Sequence, residues 1–214
     1  MSQNPQRPGN VEVTPLFATP VLRFILPDAA TLNLALRQTI LAREQSHPTT
    51  QHSNQGGYQS SWDMEQWGGE ALQRVLIHAR NLADRLTADR TGKPAKVAWK
   101  LNCWANVNRS GHGNEAHAHA GSYWSGTYYV DDGGIGADPS LGGELEFMDP
   151  RGIGPAMYAP NLAFAVPGGL SVGASEVIPP LAGALVLFPA WLYHQVRPYT
   201  GGATRISIAF NLSV

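Results

Sequence analysis

The sequence has little cysteine, little charge and no long apolar run. Cys103 is the only cysteine, so no intrachain disulfide can form, and we expect a cytoplasmic protein. Charged residues make up 14% of the chain and the net charge is −1, which argues against nucleic-acid binding because phosphate contacts need a basic surface. Residues 1–10 are polar, and no stretch reaches the length of a membrane span. We therefore expect neither a signal peptide nor a membrane segment.

Glycine, proline and apolar residues are plentiful. The chain has 23 glycines and 16 prolines, and 43% of its residues are hydrophobic, which is typical of many strands joined by turns around a sizeable core. A length of 214 residues fits one domain. We expect a flexible tail over 1–13 and a single domain over 14–214, with helical support over 14–95 and a β core over 96–214. Base rates favour a homodimer.

Apolar spacing predicts two helices in the first half of the chain. The first helix begins at Asp28 as its cap and carries the apolar stripe Leu32, Leu36 and Ile40. The second runs from about Leu72 and ends at Thr91-Gly92. Between them, the polar residues 46–61 predict a long loop.

Strands and turns are predicted for the rest of the chain. Residues 97–107 alternate, with Cys103 on the apolar face as a core residue and the amide Asn106 on the other face, where it could line a site. We predict a mainly β fold with flanking helices, a sandwich or barrel. The further strands are expected at 117–120, 124–130, 144–148, 162–166, 176–178, 184–188, 195–196 and 205–212.

Three histidines are the best candidates for a metal site. His117 and His119 lie two residues apart in a predicted strand, so both point to one face about 7 Å apart. His194 follows the apolar run 183–188 far downstream. Neutral imidazoles suit Fe, Zn, Cu and Ni, so we predict that these three bind one metal ion. Glu115 shares the face and could join the site, although a water-facing strand end is the better interpretation.

A positively charged side chain, Arg205, follows eleven residues after His194. Alternation places Arg205, Ser207 and Ala209 on one face of the last strand, and the apolar Ile206 and Ile208 on the other. An arginine facing a barrel mouth is a natural partner for a substrate carboxylate, because its planar fork matches the two oxygens.

The order of these motifs resembles the 2-oxoglutarate- and Fe(II)-dependent oxygenases, in their prolyl-hydroxylase-like branch. The likeness runs over about 101–214 and is greatest to a mostly bacterial group with Ser-Gly-x-Tyr-Tyr and Phe-Pro-x-x-x-x-His motifs. The motifs that carry it are His117, Ser125-Gly126-Thr127-Tyr128-Tyr129, Gly143-Glu144-Leu145, Phe188-Pro189 with His194, and Arg205-Ile206-Ser207.

The resemblance implies a fold and a chemistry. The fold is a double-stranded β-helix, a jelly-roll barrel related to the cupins. The cofactors are Fe(II) and 2-oxoglutarate, and dioxygen hydroxylates an unidentified peptide or small molecule with release of succinate and CO₂. His117 and His194 match iron ligands, and Arg205, with Ser207 beside it and Tyr129, matches the residues that hold the far carboxylate of 2-oxoglutarate. We add Asn106 to this cofactor-binding set.

The chain departs from the family pattern at one ligand. Relatives usually carry Asp or Glu two residues after the first histidine, where this chain has His119. Three neutral ligands would leave the metal more electropositive than a site with two histidines and one carboxylate. We still expect His119 to bind the metal, with Glu115 or water as alternatives.

Two other interpretations stay open at this point. One is a cupin-type three-histidine enzyme that does not use 2-oxoglutarate; Gly111 and His117-x-His119 match the start of a cupin motif, but the expected glutamate is missing and Arg205 would have no role. The other is a jelly-roll binding module without catalysis, whose histidines hold no metal or only a structural one.

Overall fold

The computed structural model describes residues 16–152, 159, 161–162 and 175–214. Its elements confirm the prediction of a mainly β chain with flanking helices. In chain order they are β1 (Leu22–Ile25), α1 (Ala29–Ser46), β2 (Asn54–Gln55), β3 (Tyr58–Gln59), α2 (Met64–Trp67), α3 (Gly69–Leu86), β4 (Lys100–Asn108), β5 (Gly113–His117), β6 (Trp124–Asp132), a 3₁₀ turn (Pro139–Leu141), β7 (Leu145–Met148), β8 (Ser175–Ile178), β9 (Ala184–Pro189), β10 (His194–Val196) and β11 (Arg205–Ser213).

The strands form two antiparallel sheets. The larger has six strands in the order β1-β9-β6-β11-β4-β3, and the smaller has five in the order β2-β5-β10-β7-β8. One apolar cluster joins the larger sheet to the three helices. A second cluster is built from β6, β7 and β9, with Val196 of β10 and Ile178 of β8 packed against it, and so lies between the sheets.

The helices cover the outer face of the larger sheet, as their apolar stripes predict. Leu32, Leu36 and Ile40 of α1 are buried, confirming the stripe. Asp28 does precede α1, but its side chain makes no capping bond and pairs with Arg74 of α3 instead. The predicted end of α3 at Thr91 is wrong, because Thr87 is extended and its hydroxyl donates to the carbonyl of Ala83 at 2.7 Å. None of the helices among the described residues is long and apolar enough to cross a membrane.

The stretch 46–61, predicted as a loop, contains two short strands instead. β2 pairs with β5 in the smaller sheet, and β3 pairs with β4 in the larger. Gly56 and Gly57 both have positive φ, which allows the tight turn between these strands. The segment before residue 95 therefore contributes strands to both sheets as well as helices. The predicted tail 1–13 and strand residues 163–166 lie outside the described part of the chain.

The central strand β11 positions the site. It pairs with β4 on one side and β6 on the other. Its odd residues confirm the predicted alternation, since Arg205 and Ser207 are buried on the face that lines a cavity while Ile206 and Ile208 pack into the helix-side core. Across the ladder, Ser207 lies opposite Asn106 of β4 and Tyr129 of β6, so these three side chains share one face.

Candidate metal and carboxylate site

The three predicted histidines converge at one end of the cavity. His117 is the last residue of β5 and lies directly opposite His194 of β10. Their ring centroids are 4.5 Å apart, and the His119 ring lies 4.9 Å from His117 and 5.1 Å from His194. One ring nitrogen from each residue lies within 4.8 Å of the other two. Among the described residues this is the one cluster able to hold a metal ion, so the prediction that the histidines come together is confirmed.

The backbone fixes which nitrogen two of these rings offer. Nδ1 of His117 lies 2.7 Å from the carbonyl oxygen of Glu115, and Nδ1 of His194 lies 2.8 Å from that of Leu192. A carbonyl can only accept, so each Nδ1 carries the proton and donates it. Each Nε2 therefore keeps its lone pair for a metal.

Burial keeps all three imidazoles neutral. Burial lowers the pKa of His119 to about 3, with His194 and His117 adding to the effect. It lowers the pKa of His194 to about 4, and it also lowers the pKa of His117. Because these pKa values lie below the ordinary value of 6.5, the rings are uncharged and able to bind a cation at neutral pH.

The backbone around His119 differs from the predicted strand, whereas Glu115 lies as predicted. The predicted strand 117–120 is wrong, because β5 ends at His117 and His119 lies beyond it. There the backbone N–H of His119 donates to the carbonyl of Ala190 at 2.9 Å, which holds the chain against the turn before β10. Glu115 is exposed and outside the cluster, as expected of a water-facing residue.

A buried guanidinium lies in the wall of the same cavity. Arg205 is 2% exposed, and its Nη1 donates to Oδ1 of Asn108 at 3.2 Å. Its Nε has no hydrogen-bond partner, and the ion pairs formed among the described residues do not include it. Burial lowers its pKa, but a guanidinium stays protonated at neutral pH. A buried cation without a carboxylate partner is costly unless an anion binds to it.

The other predicted cofactor-binding residues surround this cation. The Arg205 guanidinium lies over the Tyr129 ring, 5.4 Å from its centroid. The Tyr129 hydroxyl is buried and makes no hydrogen bond of good geometry with the described residues. Burial raises its pKa against the opposing effect of the nearby Arg205, so it is a protonated donor. Ser207 and Asn106 are 5% and 8% exposed and line the cavity. The wall thus offers a cation and several polar groups to one anion.

Gly143 lets the chain pass close to that cation. Its φ is +76°, and a Cβ built there would lie 3.3 Å from Cδ and Nε of Arg205 and 3.1 Å from Ile135. The motif that contains Gly143 therefore has a structural reason for its glycine.

Sequence reasoning missed three residues of the site. Asn108, Ser125 and Asn211 are buried on the cavity face, where Asn108 holds Arg205 and Asn211 contacts His119. Continuing the alternating pattern by two residues, along β4 to Asn108 and along β11 to Asn211, would have included both asparagines. His52 is exposed, yet it lies close enough to help lower the pKa of His117 and His119.

Three further side chains have structural surroundings and lie outside the histidine cluster. Cys103 is fully buried, which confirms its predicted place in the core, and burial raises the pKa of its thiol to about 12. Trp124 is buried on the helix side, and its ring N–H donates to the hydroxyl of Thr87 at 2.9 Å. His112 accepts a bond from the backbone N–H of Arg109 at 3.1 Å and is not part of the cluster.

A family model matches residues 102–211, half of the chain, and its description is "Putative 2OG-Fe(II) oxygenase". The chain therefore belongs to the 2-oxoglutarate- and Fe(II)-dependent oxygenases and is an enzyme of that class. This outcome agrees with the resemblance seen in the sequence. No curated protein matches the chain by sequence.

Solved structures give the same fold. A Pseudomonas putida prolyl-4-hydroxylase is similar with a TM-score of 0.63 and 19% identity, covering 92% of this chain and 94% of its own. A Trichoplax adhaerens prolyl hydroxylase, in complex with a peptide fragment of hypoxia inducible factor, gives 0.59 and 17%, covering 89% and 83%. HygX from Streptomyces hygroscopicus, with nickel and 2-oxoglutarate bound, gives 0.56 and 11%, covering 91% and 83%. The predicted double-stranded β-helix is confirmed, and within the described residues its two sheets are not closed into a barrel.

The residues present fit the cofactors of the family. Fe(II) and 2-oxoglutarate are those cofactors. Neutral imidazoles with free Nε2 lone pairs suit Fe(II), and the unpaired Nε of Arg205 and hydroxyl of Tyr129 suit a carboxylate. The metal end and the carboxylate end lie in one cavity.

Proposed function

We propose that this enzyme hydroxylates a C–H bond of its substrate and converts 2-oxoglutarate to succinate and CO₂. One observation carries the proposal: three neutral imidazoles line the same cavity as a buried guanidinium that has no carboxylate partner among the described residues. The iron, when bound, would supply the activation of dioxygen. The chain's own residues would place the reactants and keep water out.

His117, His119 and His194 would hold the metal. One ring nitrogen of each residue lies within 4.8 Å of the other two, which supports this assignment. The low pKa values of His119 and His194, which keep these rings neutral, support it too. His194 is the most buried of the three at 4% exposed. Its ring is enclosed by Phe188 and Phe147, with centroids 4.8 and 6.0 Å away, and these would fix its orientation.

Arg205, Tyr129, Ser207 and Asn106 would bind the far carboxylate of 2-oxoglutarate. An anion placed there would accept from the free Nε of Arg205 and from the hydroxyl of Tyr129. Asn108 would hold the guanidinium in place through its bond to Nη1. This arrangement favours a dicarboxylate cosubstrate over the cupin-type alternative, in which the buried cation has no role.

The substrate is a small molecule or a peptide, and we assign it to the open side of the histidine cluster. Trp104 lines the cavity with its ring centroid 6.0 Å from that of His119. His52 and Trp62 form an edge-to-face pair 5.7 Å apart beside the cluster, and both are exposed. These aromatic groups would contact the substrate. That nucleic acid is not a partner stays a prediction from the composition, and the homodimer stays a prediction too.

An anaerobic titration tests the proposal. The Fe(II)-loaded protein should gain a visible absorption band when 2-oxoglutarate is added, because the cosubstrate would bind beside the histidines. Arg205→Ala should raise the dissociation constant of 2-oxoglutarate by about 30-fold or more, since removing one partner of a buried charge pair costs about 2–5 kcal/mol. Arg90→Ala, which removes an exposed arginine, is the matched control and should behave as the wild type. Iron binding without any band in the wild type would contradict the proposal.

A further inference from the structure

The third histidine is held differently from the other two. Among the described residues, no backbone carbonyl forms a hydrogen bond with Nδ1 of His119, and this nitrogen lies 3.4 Å from Nδ2 of Asn211. The other end of that amide, Oδ1, accepts from the hydroxyl of Ser125 at 2.9 Å. Asn211 and Ser125 are 9% and 2% exposed, and they lie opposite each other on β11 and β6.

The side-chain amide can act in two ways on the His119 ring. With its NH₂ toward the ring, Nδ1 must accept, so the neutral imidazole carries its proton on Nε2 and that nitrogen has no lone pair for a metal. With the amide turned by half a rotation, Oδ1 accepts from Nδ1–H and the Nε2 lone pair is free. The two orientations have nearly the same shape, so chemistry decides between them.

The Ser125 hydroxyl can form a hydrogen bond with the Asn211 amide in both orientations of that amide. Its hydroxyl donates to Oδ1 in the first, and in the second it accepts from Nδ2 while its own proton points to the carbonyl of Phe210, 3.5 Å away. Turning the amide therefore leaves no buried group without a partner.

We propose that Asn211 is the positioning residue for the third metal ligand. With its amide oxygen accepting from Nδ1–H of His119, it fixes His119 as an Nε2 donor, as the backbone carbonyls do for His117 and His194. The inference rests on the proposed metal site and adds what makes its third ligand possible. Partners of this kind are worth about 10- to 100-fold in metal affinity.

Zn(II) and Co(II) affinities of three variants test this assignment by calorimetry. Asn211→Leu keeps the size of the side chain and removes the acceptor, so metal affinity should fall about 10- to 100-fold. Asn211→Asp can only accept, so it should bind both metals at least as tightly as the wild type. Asn102→Leu makes the same change on an exposed residue that pairs with Asn211 across the ladder, and should leave the affinity unchanged.

A spectroscopic readout separates positioning from a merely structural role. In Zn(II)-loaded protein with ¹⁵N-labelled histidine, three ring Nδ1–H signals should be protected from exchange with water. Asn211→Leu should lose the signal of His119 alone, and Asn211→Asp should keep it. Thermal melting of the metal-free variants reports whether each is folded.

The outcomes distinguish this inference from the proposed function. Wild-type protein that binds metal through His194 while Asn211→Leu binds equally tightly overturns the role of Asn211 and leaves the proposed function standing. The same holds if Asn211→Asp weakens binding as much as Asn211→Leu does. Wild-type protein whose metal binding is unaffected by His194→Ala overturns both.

Discussion

Single residues decide the chemistry of this site, and His119 is the most informative of them. The family resemblance predicts a carboxylate at its position, yet its ring comes within about 5 Å of the two other histidine rings. Sequence alternation predicted the correct neighbours for His119 but the wrong backbone, since β5 ends before it. Spacing alone could not show this, because the turn depends on a bond to Ala190, far along the chain.

Replacing His119 tests whether it is a ligand. His119→Asp provides an anionic ligand, so its Fe(II) affinity should equal or exceed that of the wild type. His119→Ala removes a ligand and leaves its coordination position open, so its Fe(II) affinity should fall by about 100-fold or more. Equilibrium dialysis of Fe(II) under anaerobic conditions measures both. Equal affinities of the alanine variant and the wild type would show that the metal does not use this residue.

Arg205 is the second residue on which the account depends. Arg205→Lys keeps the charge but loses the planar fork and the bond from Nη1 to Asn108. We expect an intermediate loss of 2-oxoglutarate affinity, smaller than for Arg205→Ala, with Fe(II) affinity unchanged. Fluorescence or calorimetric titration measures the two affinities separately. A lysine variant that binds 2-oxoglutarate as tightly as the wild type would argue against recognition through the fork.

At the scale of elements, β10 holds His194 in position because hydrogen bonds with the neighbouring strands fix β10 in the smaller sheet. Glu146 of β7 lies opposite Gln195 and accepts from Nε2 of Gln195 at 2.7 Å and from Nε and Nη2 of Arg197 at 2.8 Å each. It also accepts from the hydroxyl of Ser175 on β8. One carboxylate therefore joins three strands beside the metal site. The sequence could not reveal this cluster, because strand register brings together residues far apart in the chain.

This cluster predicts a loss of stability in acid. Hydrogen bonds from Arg197, followed by those from Ser175 and Gln195, lower the pKa of Glu146 to about 2 from an ordinary value of 4.5. A lowered pKa means that the stabilisation is complete above pH 4.5 and is lost as the pH falls toward 2. Glu146→Gln should lower the free energy of unfolding at pH 7 by about 1–3 kcal/mol and flatten its pH dependence between those values.

Urea unfolding at a series of pH values measures this effect. Glu70→Gln changes an exposed carboxylate on α3 and serves as the control. A Glu146→Gln protein with the same slope between pH 4.5 and 2 as the wild type would show that Glu146 is not the group responsible.

At the scale of the whole molecule, the site joins the two sheets. The histidines belong to the smaller sheet and the turns beside it, whereas Arg205, Tyr129 and Ser207 belong to the larger sheet. The apolar alternation of β11 predicted the larger sheet's face correctly, and helix periodicity predicted α1 and most of α3. Short polar strands such as β2 and β3 have no apolar period to reveal them, so they could not be predicted.

A site that bridges two sheets predicts stepwise stabilisation by its ligands, in which the second increment depends on the first. Zn(II) at 100 times its dissociation constant should add about 2.7 kcal/mol, and 2-oxoglutarate should add a further increment only when metal is present. For a chain of this size, each increment corresponds to about 5–10 °C in Tm. Arg205→Ala should lose the second increment and keep the first, measured by thermal unfolding. A 2-oxoglutarate increment that appears without metal, or persists in Arg205→Ala, would contradict a shared site.

Succinate formation from 2-oxoglutarate is the most direct measurement of the central claim. With Fe(II) and dioxygen, the wild-type protein should form succinate and CO₂ in equal amounts, slowly without substrate and faster with it. His194→Ala and Arg205→Ala should form almost none, while Arg90→Ala should match the wild type. Iron-loaded wild-type protein that forms no succinate, or an Arg205→Ala protein as active as the wild type, would contradict the account.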